Sequence, residues 1–204
     1  LILEVHSNDQ NQNQTNAYLA YKVGLRVKQI LENFGVFEEQ IKLRSFCSFF
    51  PLAKGWDEGK ETYYGARVNN RIDMHLWSMN DDTVLEGYQW PNLDSVSRDP
   101  AFDKLAEMLT GMSYAVEVFK SSENIQDPIL YRYKPMIINS SSTKGAISYQ
   151  LGLFKNIGQA RTLYNSLSVL GYEGLRISVF FNGYELEGEE LELFKSRFPG
   201  ISWP

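Results

Sequence analysis

The chain has 204 residues, 43% hydrophobic and 22% charged, enough to bury one ordinary core or two small ones and too apolar for a disordered segment. Lysine and arginine number 20 against 25 acids, a net charge of −5 with no basic stripe, which excludes the electrostatic footprint of a nucleic-acid binder. No run approaches the ~20 apolar residues of a bilayer helix, and the single cysteine, Cys47, excludes an intramolecular disulfide framework or a cysteine-rich metal site.

The sequence opens directly on an apolar strand-like run, residues 1–5, as expected of a piece of a longer polypeptide. Residues 8–16, nearly all Asn and Gln, read as a polar loop. An amphipathic helix is predicted over residues 16–34, where Leu19, Ala20, Val23, Val27, Ile30, Leu31 and Phe34 recur at spacings of three and four. Asn16 is its expected N-cap and Gly35 its expected left-handed terminator. Further strands are predicted near residues 41–46 and 71–77, so strand, helix, strand and strand make a first α/β sandwich. Residues 80–100, with Trp90-Pro91 and Asp99-Pro100, have the composition of a connection. Residues 1–100 carry 10 basic and 14 acidic side chains and residues 101–204 carry 10 and 11. The expected division is therefore a first domain over 1–80, a linker with a short helix over 81–110, and a second domain over 111–204.

In the second half, residues 114–119, 147–154 and 175–181 read as strands, residues 135–139 as an edge strand, and 128–133 as irregular or helical. Residues 156–170 read as a helix with Ile157, Ala160, Leu163, Tyr164, Leu167 and Leu170 inward and Gly171 ending it. The order β-α-β-β-α-β is a ferredoxin-like arrangement, and the fold class expected for the whole chain is α+β. Alternation puts Tyr114, Val116, Tyr149, Leu151, Leu153 and Val179 under the helix. It puts Glu117, Phe119, Gln150, Arg176, Ser178 and Phe180 on a second face, either covered or solvated, or open as a platform where rings stack on a sugar chain or peptide while Gln150 and Arg176 hydrogen-bond it.

Catalytic patterns are lacking. His6 and His75 do not form a pair four apart on a helix, and Cys47 lies in the apolar run 46–50, where a small packed residue is expected. The acids at 81–82 and 187–192 read as solvated charge. The chain is therefore expected to be no enzyme and to use no cofactor or metal.

Two resemblances carry more weight. Val5-His6-Ser7-Asn8, Asn16-Ala17-Tyr18-Leu19-Ala20, the segment 45–51 and Asn69-Asn70-Arg71-Ile72 follow the order of motifs in an OmpA-like peptidoglycan-associated domain whose first strand and helix are missing here. In that family an aspartate and an arginine grip the stem peptide of peptidoglycan. Asn8 stands at the aspartate position and Val23 at the arginine position, so both charges are gone, leaving Asp9, Lys22 and Arg26 as substitutes. Tyr149-Gln150-Leu151-Gly152-Leu153-Phe154, Asn156, Ala160 and Leu170-Gly171-Tyr172 resemble a SPOR domain, a ferredoxin-like module that binds glycan strands across its sheet face.

Together these resemblances imply a non-catalytic, peptidoglycan-associating module in the periplasm, attached to the outer membrane through upstream sequence. The expected ligand residues are Asn8, Asp9, Asn16, Lys22, Arg26 and Arg71 in the first domain and Gln150, Arg176 and Phe180 in the second. The alternative is a protein-interaction scaffold of a secretion or motility complex in which the peptidoglycan sites have degenerated. There Trp56, Tyr63, Tyr64, Trp77 and Trp90 would anchor other subunits.

Overall fold

The computed structural model describes residues 1–10, 14–76, 98–121, 124, 126–140 and 146–204. In chain order these form β1 (Ile2–His6), α1 (Gln14–Asn33), β2 (Lys42–Cys47), a small hairpin of β3 (Trp56–Asp57) and β4 (Lys60–Glu61), and β5 (Arg71–His75). There follow α2 (Pro100–Leu109), β6 (Met112–Ser121), β7 (Met136–Ser140), β8 (Ile147–Phe154), α3 (Ile157–Val169), β9 (Arg176–Phe181), β10 (Tyr184–Leu186) and α4 (Gly188–Arg197). Eight strands make one sheet in the order β10-β9-β6-β8-β7-β2-β1-β5. Only β1 and β2 pair in parallel among these described neighbours, because α1 carries the chain back between them. The molecule is mixed α/β, built on a large, mostly antiparallel sheet.

The two expected units share that sheet. β2 of the first meets β7 of the second through Arg44 opposite Asn139 and Ser45 opposite Ile138. Residues 135–139 were expected to be an edge strand, but β7 is interior, flanked by β8 and β2. The expected linker lies largely outside the described residues, as do Trp77 and Trp90. Its short helix is α2, capped by the Asp99 carboxylate, which accepts from Ala101 N at 2.9 Å, with Pro100 in the first turn.

One face of the sheet packs under α1, α3 and α4 in a single apolar cluster that includes Leu3, Leu43, Val116, Ile138, Leu151, Leu167 and Phe194. The helix α1 begins at Gln14, so Asn16 lies inside its first turn and is not the cap. Gly35 ends it as expected, at φ 94°. Its buried side overlaps only in part with the one that periodicity suggests: Ala20 is buried and Val27 and Leu31 pack against the core as expected, joined by Ala17, Tyr21 and Gly24, while Leu19, Val23, Ile30 and Phe34 face outward. Small residues let the helix close on the strands. A Cβ on Gly24 would lie 2.5 Å from Leu43 Cδ1 and 2.6 Å from Val5 Cγ2.

The opposite face is not an open platform. Phe46, Phe50, Leu105 of α2, Ala115, Ile137, Leu153 and Phe180 form a second cluster there, and Phe180 is fully buried. Leu153 reaches this cluster because Gly152, at φ 71°, makes a bulge: Leu151 pairs with Val116 and Phe154 with Tyr114, three steps on β8 against two on β6. Alternation reverses there, so Leu153 faces away from α3.

Candidate functional site

Asn8, the first expected ligand residue, follows β1 and is only 6% exposed. Its side-chain amide donates to Glu61 Oε1 at 2.6 Å and its Oδ1 accepts from Asn69 Nδ2 at 2.8 Å. Its backbone N–H donates to Asn70 Oδ1 and its carbonyl accepts from Trp56 Nε1, both at 2.9 Å. Gly55 approaches so closely that a Cβ there would stand 2.3 Å from Asn8 Oδ1. The position that would grip a stem peptide is therefore filled from within, and Asn8 ties the end of β1 to the segment 53–70.

Gln150 and Arg176 are likewise engaged internally. Gln150 is buried, accepts from Asn139 Nδ2 at 2.7 Å and donates to Ser178 Oγ at 2.9 Å and to Glu185. Arg176 pairs with Glu117 at 2.9 Å and with Glu185 and Glu187 at 3.1 Å each. Burial and the neighbouring Glu187 push the Glu185 carboxyl up. The cavity beside this network, bounded by Lys42, Arg44, Asn139 and Glu185, measures about 30 Å³, room for one water and far short of a sugar ring.

The remaining expected residues separate into surface and interior. Lys22 and Arg26 are exposed one turn apart on α1, and the Lys22 ammonium lies 5.8 Å from the centre of the Tyr18 ring. Asp9 accepts from Ser7 Oγ at 2.8 Å, and Asn16 is half-buried in α1. Cys47 is buried, with Sγ 3.6 Å from Ser7 Oγ, and burial pushes its thiol up, so it packs as an uncharged group.

Arg71 leads to a cluster that the sequence reading did not assemble. On the face away from α1, β1 presents Glu4 and His6 and β5 presents Arg71, Asp73 and His75, with Glu4 opposite Asp73 in register. Arg44 Nη2 donates to Glu4 Oε1 at 2.8 Å, and Arg71 Nε donates to Asp73 Oδ2 at 2.9 Å. His6 Nε2 lies 3.4 Å from Asp73 Oδ2 and His75 Nε2 lies 3.3 Å from Glu4 Oε2. Burial alone would raise the Glu4 carboxyl, but Arg44 and His75 outweigh it and hold it at about 2. Burial and the Arg71 charge drive His6 well below its ordinary value, so its ring is neutral, whereas the Glu4 hydrogen bond raises His75. Burial raises Asp73 against the pull of Arg71. Glu4, His6 and Asp73 each offer one donor atom within 4.8 Å of the others, the geometry of a group able to hold a metal ion. A signal was present in the sequence. Glu4-Val5-His6 and Asp73-Met74-His75 each place a carboxylate and an imidazole two residues apart, which puts both on one face of a strand.

No family model, curated protein or solved structure matches this chain.

Proposed function

We propose that the chain is a non-catalytic docking module of a cell-envelope assembly, holding neighbouring protein subunits through the outer face of α1. The observation that carries this reading is the stripe of Leu19, Val23, Ile30 and Phe34, opposite the buried side of the helix, with Leu19 57% and Phe34 84% exposed. Phe37, three residues further on, is exposed as well. Single exposed apolar residues are ordinary, but four of them recurring along one side of a helix are what a protein partner's groove accepts, with Arg26 as the charged group between Val23 and Ile30.

The envelope setting, in the periplasm, rests on the two resemblances. The strand order β9-β6-β8-β7 supports the second of these: it suits a ferredoxin-like unit whose first helix is reduced to the 3-10 turn Leu130–Arg132. Direct contact with peptidoglycan, whether glycan or stem peptide, would fall to the accessible residues, Lys22 and Arg26 foremost with Asp9, Asn16 and the outer part of Arg176, since Asn8, Gln150 and Phe180 are enclosed. Geometry therefore favours docking of protein subunits over gripping the polymer.

Sedimentation with purified sacculi at low salt separates the two readings. The chain is expected to stay in the supernatant, and co-pelleting that Lys22→Ala plus Arg26→Ala abolishes would reassign it to peptidoglycan. A photo-reactive amino acid at Val23 is expected to give a discrete protein adduct in envelope preparations, with none from the exposed position 173. Equal labelling at both positions would sink the docking assignment.

A further inference from the structure

We propose that Glu4, His6 and Asp73, with His75 at the rim, bind one divalent transition-metal ion, Zn²⁺ foremost, as a brace between β1 and β5. The proposal goes beyond the docking reading and does not depend on it. In the antiparallel register Glu4 faces Asp73 directly, and His6 and His75 lie on the diagonals. A tetrahedral site with bonds of ~2.0–2.1 Å spaces its donors ~3.3–3.4 Å apart. The separations of 3.4 Å from His6 Nε2 to Asp73 Oδ2 and 3.3 Å from His75 Nε2 to Glu4 Oε2 match that edge length.

His6 supplies an independent indication. Its side chain is 1% exposed, yet neither ring nitrogen has a hydrogen-bond partner among the described residues. A buried polar group left in this state is costly, and a metal at Nε2 satisfies one of the two nitrogens. Its ring lies nearly parallel to Phe46, 5.4 Å between centres and 16° between planes, which fixes the direction of the nitrogens. Arg44 bonds Glu4 at Oε1, leaving Oε2 to the metal, whereas Arg71 bonds Asp73 at Oδ2, so that oxygen would accept from Arg71 and ligate the ion together. Their positive charge also weakens the hold on any cation. Hard ions such as Mg²⁺ and Ca²⁺, which require about six or more oxygens, lose most by this, whereas a mixed imidazole and carboxylate set keeps its preference for Zn²⁺.

The test uses the full chain, stripped with chelator and titrated with Zn²⁺ by calorimetry and with Co²⁺ by visible absorption. We expect one ion per chain, a four-coordinate Co²⁺ spectrum, and a Tm raised by roughly 5–10 °C at metal concentrations about 100 times Kd. His75→Ala, at the half-exposed rim, should stay folded by circular dichroism and bind at least about tenfold more weakly. His6→Ala should abolish binding. If His6→Ala does not fold, His75→Ala alone decides. No stoichiometric uptake by the wild type overturns the proposal. So does unchanged affinity in the folded variants, or Mg²⁺ binding as tight as Zn²⁺.

Discussion

Arg44 shows how much of this fold hangs on single side chains. It is buried on β2, bonded to Glu4 on β1, and its guanidinium carbon lies 5.7 Å from the ring centres of both Phe46 and Phe180. It therefore joins the two halves of the chain beneath the sheet. Arg44→Met strands the Glu4 carboxylate without that partner, and the expected loss is about 3–5 kcal/mol in urea denaturation. Adding Glu4→Gln should recover a large part of it, because the uncompensated charge goes too. Gly24 and Val23 make a second contrast at this scale. Gly24→Ala drives a methyl into Leu43 and Val5 and should cost about 1–3 kcal/mol, whereas Val23→Ala, one residue away on the outer face, should change stability by no more than about 0.5 kcal/mol. Equal losses at the two positions would mean that the helix is rotated about its axis.

At the scale of elements, existence was legible in the sequence and facing was not. The helix α3 is announced by Asn156, which caps it by accepting from Gly158 N at 2.7 Å, and by Gly171, which ends it at φ 88°. For α1 the spacing finds the helix but centres its inner face too far round: Ala20, Val27 and Leu31 do meet the core, yet Leu19, Val23, Ile30 and Phe34 face outward, because closeness to a sheet selects Ala17 and Gly24, which carry little hydrophobic signal. The polar groups of the strands' lower face looked like ligand contacts for a related reason. Alternation tells which residues share a face, but not that α2 and the segment 46–50 cover it. Beside that cover, Glu185 on β10 faces Arg176, Gln150, Ser178, Glu117 and Glu187. Its carboxyl is raised, so the folded state binds the proton more tightly than the unfolded chain does. The stability this contributes is complete below the ordinary value of 4.5 and is lost as pH rises through the higher folded value. Tm measured against pH should therefore fall towards neutrality on this account, and Glu185→Gln should flatten that decline. An unchanged slope would show that Glu185 titrates normally.

For the whole molecule, the composition suggested two units, and the strand order makes them parts of one sheet with one apolar cluster running beneath α1, α3 and α4. Charge asymmetry along the chain could not reveal this, since a pairing between β2 and β7 joins residues about 95 apart and leaves no local trace. Unfolding should accordingly be a single transition, with tryptophan fluorescence and far-ultraviolet circular dichroism coinciding; two separated midpoints would show that the halves are energetically independent.

The seam between β2 and β7 also governs what happens when the chain is cut. Expressed alone, residues 1–76 would end on a bared β2 and residues 98–204 on a bared β7, each offering an unpaired row of amides and carbonyls beside apolar side chains such as Leu43, Phe46, Ile137 and Ile138. Such rims are templates for foreign strands. Each fragment should precipitate or pair with copies of itself, and mixing the two should restore solubility, because each half is the other's sealant.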